Sequence, residues 1–293
     1  MKSTLWFVAL ALLALGCGRG SGGSGGRVVL QNKGSDTLVN VAQAWAEAYK
    51  NVDPNVAIAV TGGGSGTGIS SLINGTVDLA NASRKMKQSE IDLARKNGIE
   101  PKEHVVGFDA LAVYLHHDNP VNQLTLEQLA EIYGEHGTTE SWKQLGVEFD
   151  GCGSGEIIRV SRQNNSGTYV YFKVAVLGKN VEYKLGSRDM HGSKDVVDLV
   201  EHTPCAIGYS GLAYATKEVK LAAIGKTEAG PFVMPSTESA LDGTYPIARP
   251  LFMYTAGEPT GAVKTYLDWI LSDEGQRIIM KKGYAPVRPV ASN

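Results

Sequence analysis

Three stretches of this chain place glycine, serine and threonine where an apolar run gives way to a helical pattern. They are Gly34-Ser35-Asp36-Thr37, the run Gly62 to Gly68 with Ser65 and Thr67, and Arg162 followed by Ser166-Gly167-Thr168. A helix start offers unpaired backbone N–H groups and a partial positive charge. Serine and threonine add hydroxyl donors, glycine permits close approach, and arginine supplies a fixed cation with a planar fork of donors. Each stretch alone is also an ordinary Gly-rich turn with a helix cap. Three at equivalent junctions point to one small oxyanion held by all of them.

Other chemistries lose their best candidates. The Gly-rich run lacks the Gly-Lys-Ser/Thr of a phosphate-binding P-loop. Thr67 falls where both the dinucleotide fingerprint and the hydrolase elbow require glycine. His116 and His117 are adjacent at a strand end, which predicts that they face opposite ways, and the remaining histidines lack metal-ligand spacing. No cofactor and no metal are expected. The carboxylates form no acid/base pair and read as solvated helix faces, except Asp36, which lies inside one of the loops. Its plainer reading is an N-cap. Cys152 and Cys205 could pair in an oxidising compartment or remain apart, because spacing alone does not place them together.

The elements that must carry these loops alternate. "VVLQNKG" reads as a strand, and the next helix carries Val41, Ala44, Trp45, Ala48 and Tyr49 on one face. "VAIAV", "SSLI" with "TVDLAN", and "SEIDLARKNG" continue the pattern of strand, helix, strand and helix, and "VVGFDALAVYL" is a further strand. The theme repeats through "TLEQLAEIYG" capped by Thr125, "EIIRVS", "TYVYFKVAVLG" and "CAIGYSG". Two last helices follow, the second capped by Ser272. This order predicts an α/β protein with largely parallel sheets in two lobes, whose ligand lies at the carboxyl ends of strands.

The chain has 293 residues, 43% of them hydrophobic, and a formal net charge of −2. With no basic surplus, nucleic acid is excluded as the main partner, and any anion site must be local. "MKSTLWFVALALLALGC" has a lysine, an apolar run too short to span a membrane and a small residue before Cys17. It resembles a bacterial lipoprotein processing site, with Ala14 where leucine is usual, and predicts lipidation of Cys17. The other reading is a plain secretory signal. "GRGSGGSGG", nine residues from 18 to 26, reads as a flexible tether spanning about 15–18 Å. An exported, membrane-anchored protein is expected.

"GSDT", "GGGSGTG", "GTVDLANASR", "RQNNSGT" and "CAIGYSG", in this order, resemble the phosphate-binding protein of the bacterial phosphate ABC transporter, the PstS type. The resemblance runs from about Val28 to the C-terminus. It implies a type II periplasmic-binding-protein fold: two α/β lobes joined by two crossing hinge strands, near 106–112 and 245–252. Residues 27–109 with 248–293 would form the first lobe and 110–247 the second.

Carried over by position, the phosphate ligands would be Ser65, Arg162, Ser166, Gly167 and Thr168, with Ser35, Asp36 and Thr37 in the first loop. Where the family places an aspartate that accepts the proton of monohydrogen phosphate, this chain has Arg84. The expectation is that Asp36 supplies that acceptor, that Arg84 stands as a second cation beside Arg162, and that Asn164 orients Arg162. The implied role is capture of inorganic phosphate by a monomer, without catalysis, for a membrane permease. The alternatives are a sulfate or molybdate receptor, a signalling receptor without transport, and an exported phosphatase, which would need a metal cluster or an activated nucleophile.

Overall fold

The computed structural model describes residues 27–290, so the signal segment, Cys17 and the tether lie outside the described residues. Strand β1 (Val28–Gly34) leads to helix α1 (Asp36–Tyr49), β2 (Val56–Thr61) to α2 (Ser65–Ile73), and β3 (Leu79–Ala82) to α3 (Gln88–Lys96). A long strand, β4 (Lys102–His116), then enters the second half. There β5 (Gln123–Thr125) precedes α4 (Leu126–Tyr133), and β6 (Ile158–Arg162) precedes α5 (Gly167–Phe172). The chain continues through β7 (Arg188–Met190), α6 (Ser193–Glu201) and β8 (Ala206–Gly211). The short strands β9 (Val219–Leu221), β10 (Ala223–Gly225) and β11 (Phe232–Val233) and helix α7 (Thr237–Leu241) follow. It returns along β12 (Ala248–Thr255) to α8 (Gly261–Ile270) and α9 (Asp273–Lys281).

Among the described residues the main sheet runs β2-β1-β3-β12-β4-β8-β6-β7, with β9 also on β4, while β11-β10-β5 form a small second sheet. The outer arms are parallel, as the alternation of elements predicts. The centre is not: β12 is antiparallel to β3 and β4, and β4 to β8. The cause is topological, since β4 carries the chain out of the first lobe and β12 brings it back alongside. Lobe-crossing strands that neighbour each other must run in opposite directions.

Apolar residues bury on either side of this crossing. Leu38, Val41, Trp45 and Tyr49 of α1 pack with Tyr266 and Trp269 of α8, and Tyr49 meets both rings edge-on. In the second lobe Tyr133, Phe172 and Tyr209 pack together, Phe172 stacked on Tyr209 at 3.8 Å. Cys152 and Cys205 form a disulfide across a separation of 53 residues, which closes the open question about them. Thr125 caps α4 as expected, its hydroxyl accepting from the Gln128 N–H at 3.0 Å. The expected divergence of His116 and His117 fails. Their rings lie 4.4 Å apart, because β4 ends at His116 and the chain turns at His117, so strand alternation no longer applies.

Candidate functional site

The three loops converge. α1, α2 and α5 each begin just after the carboxyl end of a strand, the first two in one lobe and the third in the other. Helix α2 starts at Ser65, earlier than the apolar pattern from Ser70 suggests, and Gly64 is its N-cap at φ 92°. A side chain there would meet the Asn165 carbonyl at 2.8 Å, so the left-handed conformation and the close approach of the lobes both call for glycine. Gly167 answers the same demand from the other lobe. A Cβ on it would lie 2.3 Å from Ser65 Oγ and 2.5 Å from Ser83 Oγ.

Hydroxyl groups therefore collect where the lobes meet. Ser35 Oγ donates to Ser83 Oγ at 2.9 Å, and Thr37 Oγ1 and Thr168 Oγ1 share a hydrogen bond of 3.1 Å across the cleft. Ser65 Oγ accepts from the Ser83 N–H at 3.1 Å, and Ser166 Oγ accepts from the Thr168 N–H at 3.1 Å. Ser166 is thus a helix cap, as the plainer reading held, and also a member of the cluster. An oxygen that accepts from the backbone keeps its O–H to donate elsewhere, which suits an anion.

Two arginines enter this cluster. Arg162, at the end of β6, donates through Nη1 to Ser193 Oγ at 3.0 Å and through Nη2 to Asp36 Oδ2 at 3.0 Å and the His191 carbonyl at 2.9 Å. Its Nε is buried with no acceptor among the described residues. A buried donor left this way is costly unless something accepts from it. Burial pulls the Arg162 guanidinium down from its ordinary pKa, and Asp36 pushes it back up. Arg249, on β12, donates from Nε and Nη2 to Asp109 Oδ2 at 3.0 and 2.8 Å. The same Nη2 reaches Thr37 Oγ1 at 3.3 Å and Thr168 Oγ1 at 3.1 Å, one in each lobe. Burial raises the Asp109 carboxyl above its ordinary pKa, and the Arg249 cation and the Leu212 N–H oppose that.

Ser35, Asp36, Thr37, Ser65, Arg162, Ser166, Gly167 and Thr168 are thus brought together, but the roles of three residues change. Arg84 does not stand beside Arg162 as a second cation. Both its Nη atoms donate to Glu90, at 2.8 and 2.7 Å, and Nη1 also to the Lys85 carbonyl. Asn164 is exposed, and Asp36, Ser193 and His191 hold Arg162 instead. Asp36 is no bare acceptor either, because its Oδ1 takes the Gly63 N–H at 2.9 Å while Oδ2 takes Arg162.

Sequence reasoning missed Ser83, Asp109 and Arg249. The last two carried a signal: each is a charge inside an apolar strand run, "VVGFDALAVYL" and "YPIARPLFMYT", where burial demands a partner of opposite sign. Ser83 is a hydroxyl just beyond a parallel strand, the rule that found the others. The cluster now holds two arginines and two aspartates. It is close to electrically neutral, rich in donors and sealed by contact between lobes, so it can bind and desolvate a small anion.

A mixed sheet crossed by two antiparallel strands, with a donor-lined cleft between its lobes, defines a binding protein of the periplasmic type. A family model described as a PBP superfamily domain matches residues 21–274. The "Phosphate-binding protein PstS" of Pseudomonas aeruginosa is 36% identical over 269 residues, covering 88% of this chain and 83% of that one. The protein of that name from Bacillus subtilis is 31% identical over 264 residues, covering 87% and 79%. Among solved structures, a putative phosphate ABC transporter substrate-binding protein with bound phosphate, from Clostridium perfringens, aligns with a TM-score of 0.77 at 31% identity. That match covers 89% of this chain and 100% of the other. The chain belongs to the PstS family of phosphate-binding proteins.

Proposed function

We propose that this protein captures inorganic phosphate between its lobes and delivers it to an ABC-type permease. The observation that carries the reading is the junction itself: hydroxyls of Ser35, Thr37, Ser65, Ser83, Ser166 and Thr168 gathered with Arg162 and Arg249. Hydroxyl and guanidinium donors in a site shut off from water bind an oxyanion more strongly than they could in solution. Two relatives named for phosphate binding, and a related structure holding phosphate, support the choice of ligand.

In this reading residues 27–109 with 248–293 form one lobe and 110–247 the other, which the separate apolar cores support. Asp36 orients Arg162, and a remaining lone pair on its carboxylate accepts the proton of monohydrogen phosphate. Sulfate, which has no proton to give, would face a buried acceptor at a cost of about 1–3 kcal/mol or more. Arg84 serves the fold through Glu90. The chain is exported, works as a monomer and is anchored by a lipid on Cys17, and its role is binding without a covalent step.

Calorimetry on the ligand-stripped protein tests this, with phosphate and sulfate titrated separately and in competition. Tight phosphate binding that excess sulfate leaves intact is the expected result. Equal binding of both would make the protein a general oxyanion receptor, and no binding of either would remove phosphate as the ligand. An Asp36→Asn variant that kept full selectivity against sulfate would assign the acceptor elsewhere.

A further inference from the structure

We propose that the turn after β4 holds a second, independent site, for a borderline divalent cation of the zinc type, ligated by His116, His117 and Asp118. The site is about 23 Å from Asp109 along the same strand, at 3.3 Å per residue. Each of the three residues offers one ligand atom, and these atoms lie within 4.8 Å of one another. His117 Nε2 is 3.0 Å from one Asp118 oxygen, and His116 Nδ1 is 3.7 Å from the other. Two imidazole nitrogens and a carboxylate oxygen form the mixed donor set that such ions favour, and three protein ligands leave one position open.

The support behind the ligands is of the right kind. His116 is buried at the end of β4, so its ring is held by the surrounding fold. Its Nδ1 faces the turn, where without an ion its lone pair accepts the Asp118 N–H at 3.2 Å, a bond that a bound cation would replace. His117 and Asp118 are exposed, with side chains 62% and 55% accessible, so they can close on an ion without disturbing the core. Lys220 does not compete for the carboxylate, since its ammonium donates to the Asn119 carbonyl at 2.6 Å. The cysteines of this lobe are tied up in their disulfide and offer no thiolate.

The test is a titration of the untagged, phosphate-free, oxidised full chain with Zn²⁺ alone, beside the double variant His117→Ala/Asp118→Ala. One ion per chain is expected, held at least tenfold more weakly by the variant, whose phosphate binding and circular dichroism stay unchanged. Cys17 is common to both proteins and cancels from the difference. Zinc-edge X-ray absorption should give a shell of nitrogen and oxygen at about 2.0–2.1 Å with imidazole outer-shell scattering. Equal affinity in the variant, no binding by the parent chain, or sulfur in the first shell at about 2.3 Å would each overturn the proposal.

Discussion

Two arginine–aspartate pairs serve one cluster, and they are built on opposite terms. Arg249 and Asp109 sit on neighbouring crossing strands, directly opposite in register, with both side chains at 0% exposure. Arg162 and Asp36 belong to different lobes and meet only across the cleft, where the aspartate keeps 14% exposure. The first pair is fixed by strand register and persists wherever the lobes go. The second exists only while the lobes are together. Both shape the site, but one is part of the frame and the other part of its closure. Proximity to a ligand cluster therefore does not tell how a charge pair will respond to mutation.

The largest effect should follow Arg249→Met, which strands a buried carboxylate and should lower the unfolding free energy by about 3–5 kcal/mol. Urea unfolding measures it, and adding Asp109→Leu should recover most of the loss, as replacement of a whole buried pair often does. Near-normal stability in the single variant would erase the distinction between the pairs. Arg162→Met should act instead on binding. Phosphate affinity falls by about 1.5–3 kcal/mol, the usual worth of a hydrogen bond to a charged group, while unfolding of the ligand-free protein moves far less. Calorimetry beside urea unfolding separates the two readouts.

A third pair sharpens the contrast, because the bonds of Arg84 and Glu90 stay within one lobe, although Arg84 lies beside Gly66 at the edge of the cleft. Glu90→Gln should cost about 2 kcal/mol of stability and leave phosphate affinity unchanged. Burial tends to raise the Glu90 carboxyl, but hydrogen bonds from Arg84 and Lys87 more than offset it, so its folded-state pKa is below the ordinary value. Its contribution is therefore complete above the ordinary glutamate pKa and is lost as pH falls through the lower folded value. Stability measured from pH 7 down to acid should show a shallower fall in the Glu90→Gln variant than in the parent. The smallest effect belongs to Asn165→Ala. It removes bonds from Asn165 Nδ2 to the Gly63 carbonyl and Thr67 Oγ1, at 3.0 and 3.3 Å, and should weaken phosphate binding by about 1 kcal/mol.

Much of this was legible in the chain. Of the five residues expected on one face of α1, Val41, Trp45 and Tyr49 are buried while Ala44 and Ala48 are half-buried, the buried face turning instead through Ala42 and Ala46. Gly-Ser-Thr loading at strand-to-helix junctions locates the cleft from both sides. The start of α2 was hidden because glycine is a poor helix former, and Gly66 and Gly68 mask the helical pattern. Gly68 is there for contact, since a Cβ on it would lie 2.4 Å from the Lys33 carbonyl oxygen. Arg84 misled for another reason. Its charge was visible, but its partner six residues on becomes a partner only once the chain turns into α3. The pair on the crossing strands required knowing that β4 and β12 lie side by side, and the pairing of His116 with His117 required knowing where β4 stops.

The contacts of Asn165 with the Gly-rich loop have a kinetic consequence. Its carbonyl takes the Gly66 N–H at 2.9 Å, and its amide bonds the Gly63 carbonyl and Thr67, so three bonds span the cleft without involving any ligand atom. At about 1 kcal/mol each, together they could lengthen the dwell time of the shut form by about a hundredfold. Residence of a captured ion would then be set partly by this latch, and a permease that pulled Asn165 away from α2 could trigger discharge without touching the ion.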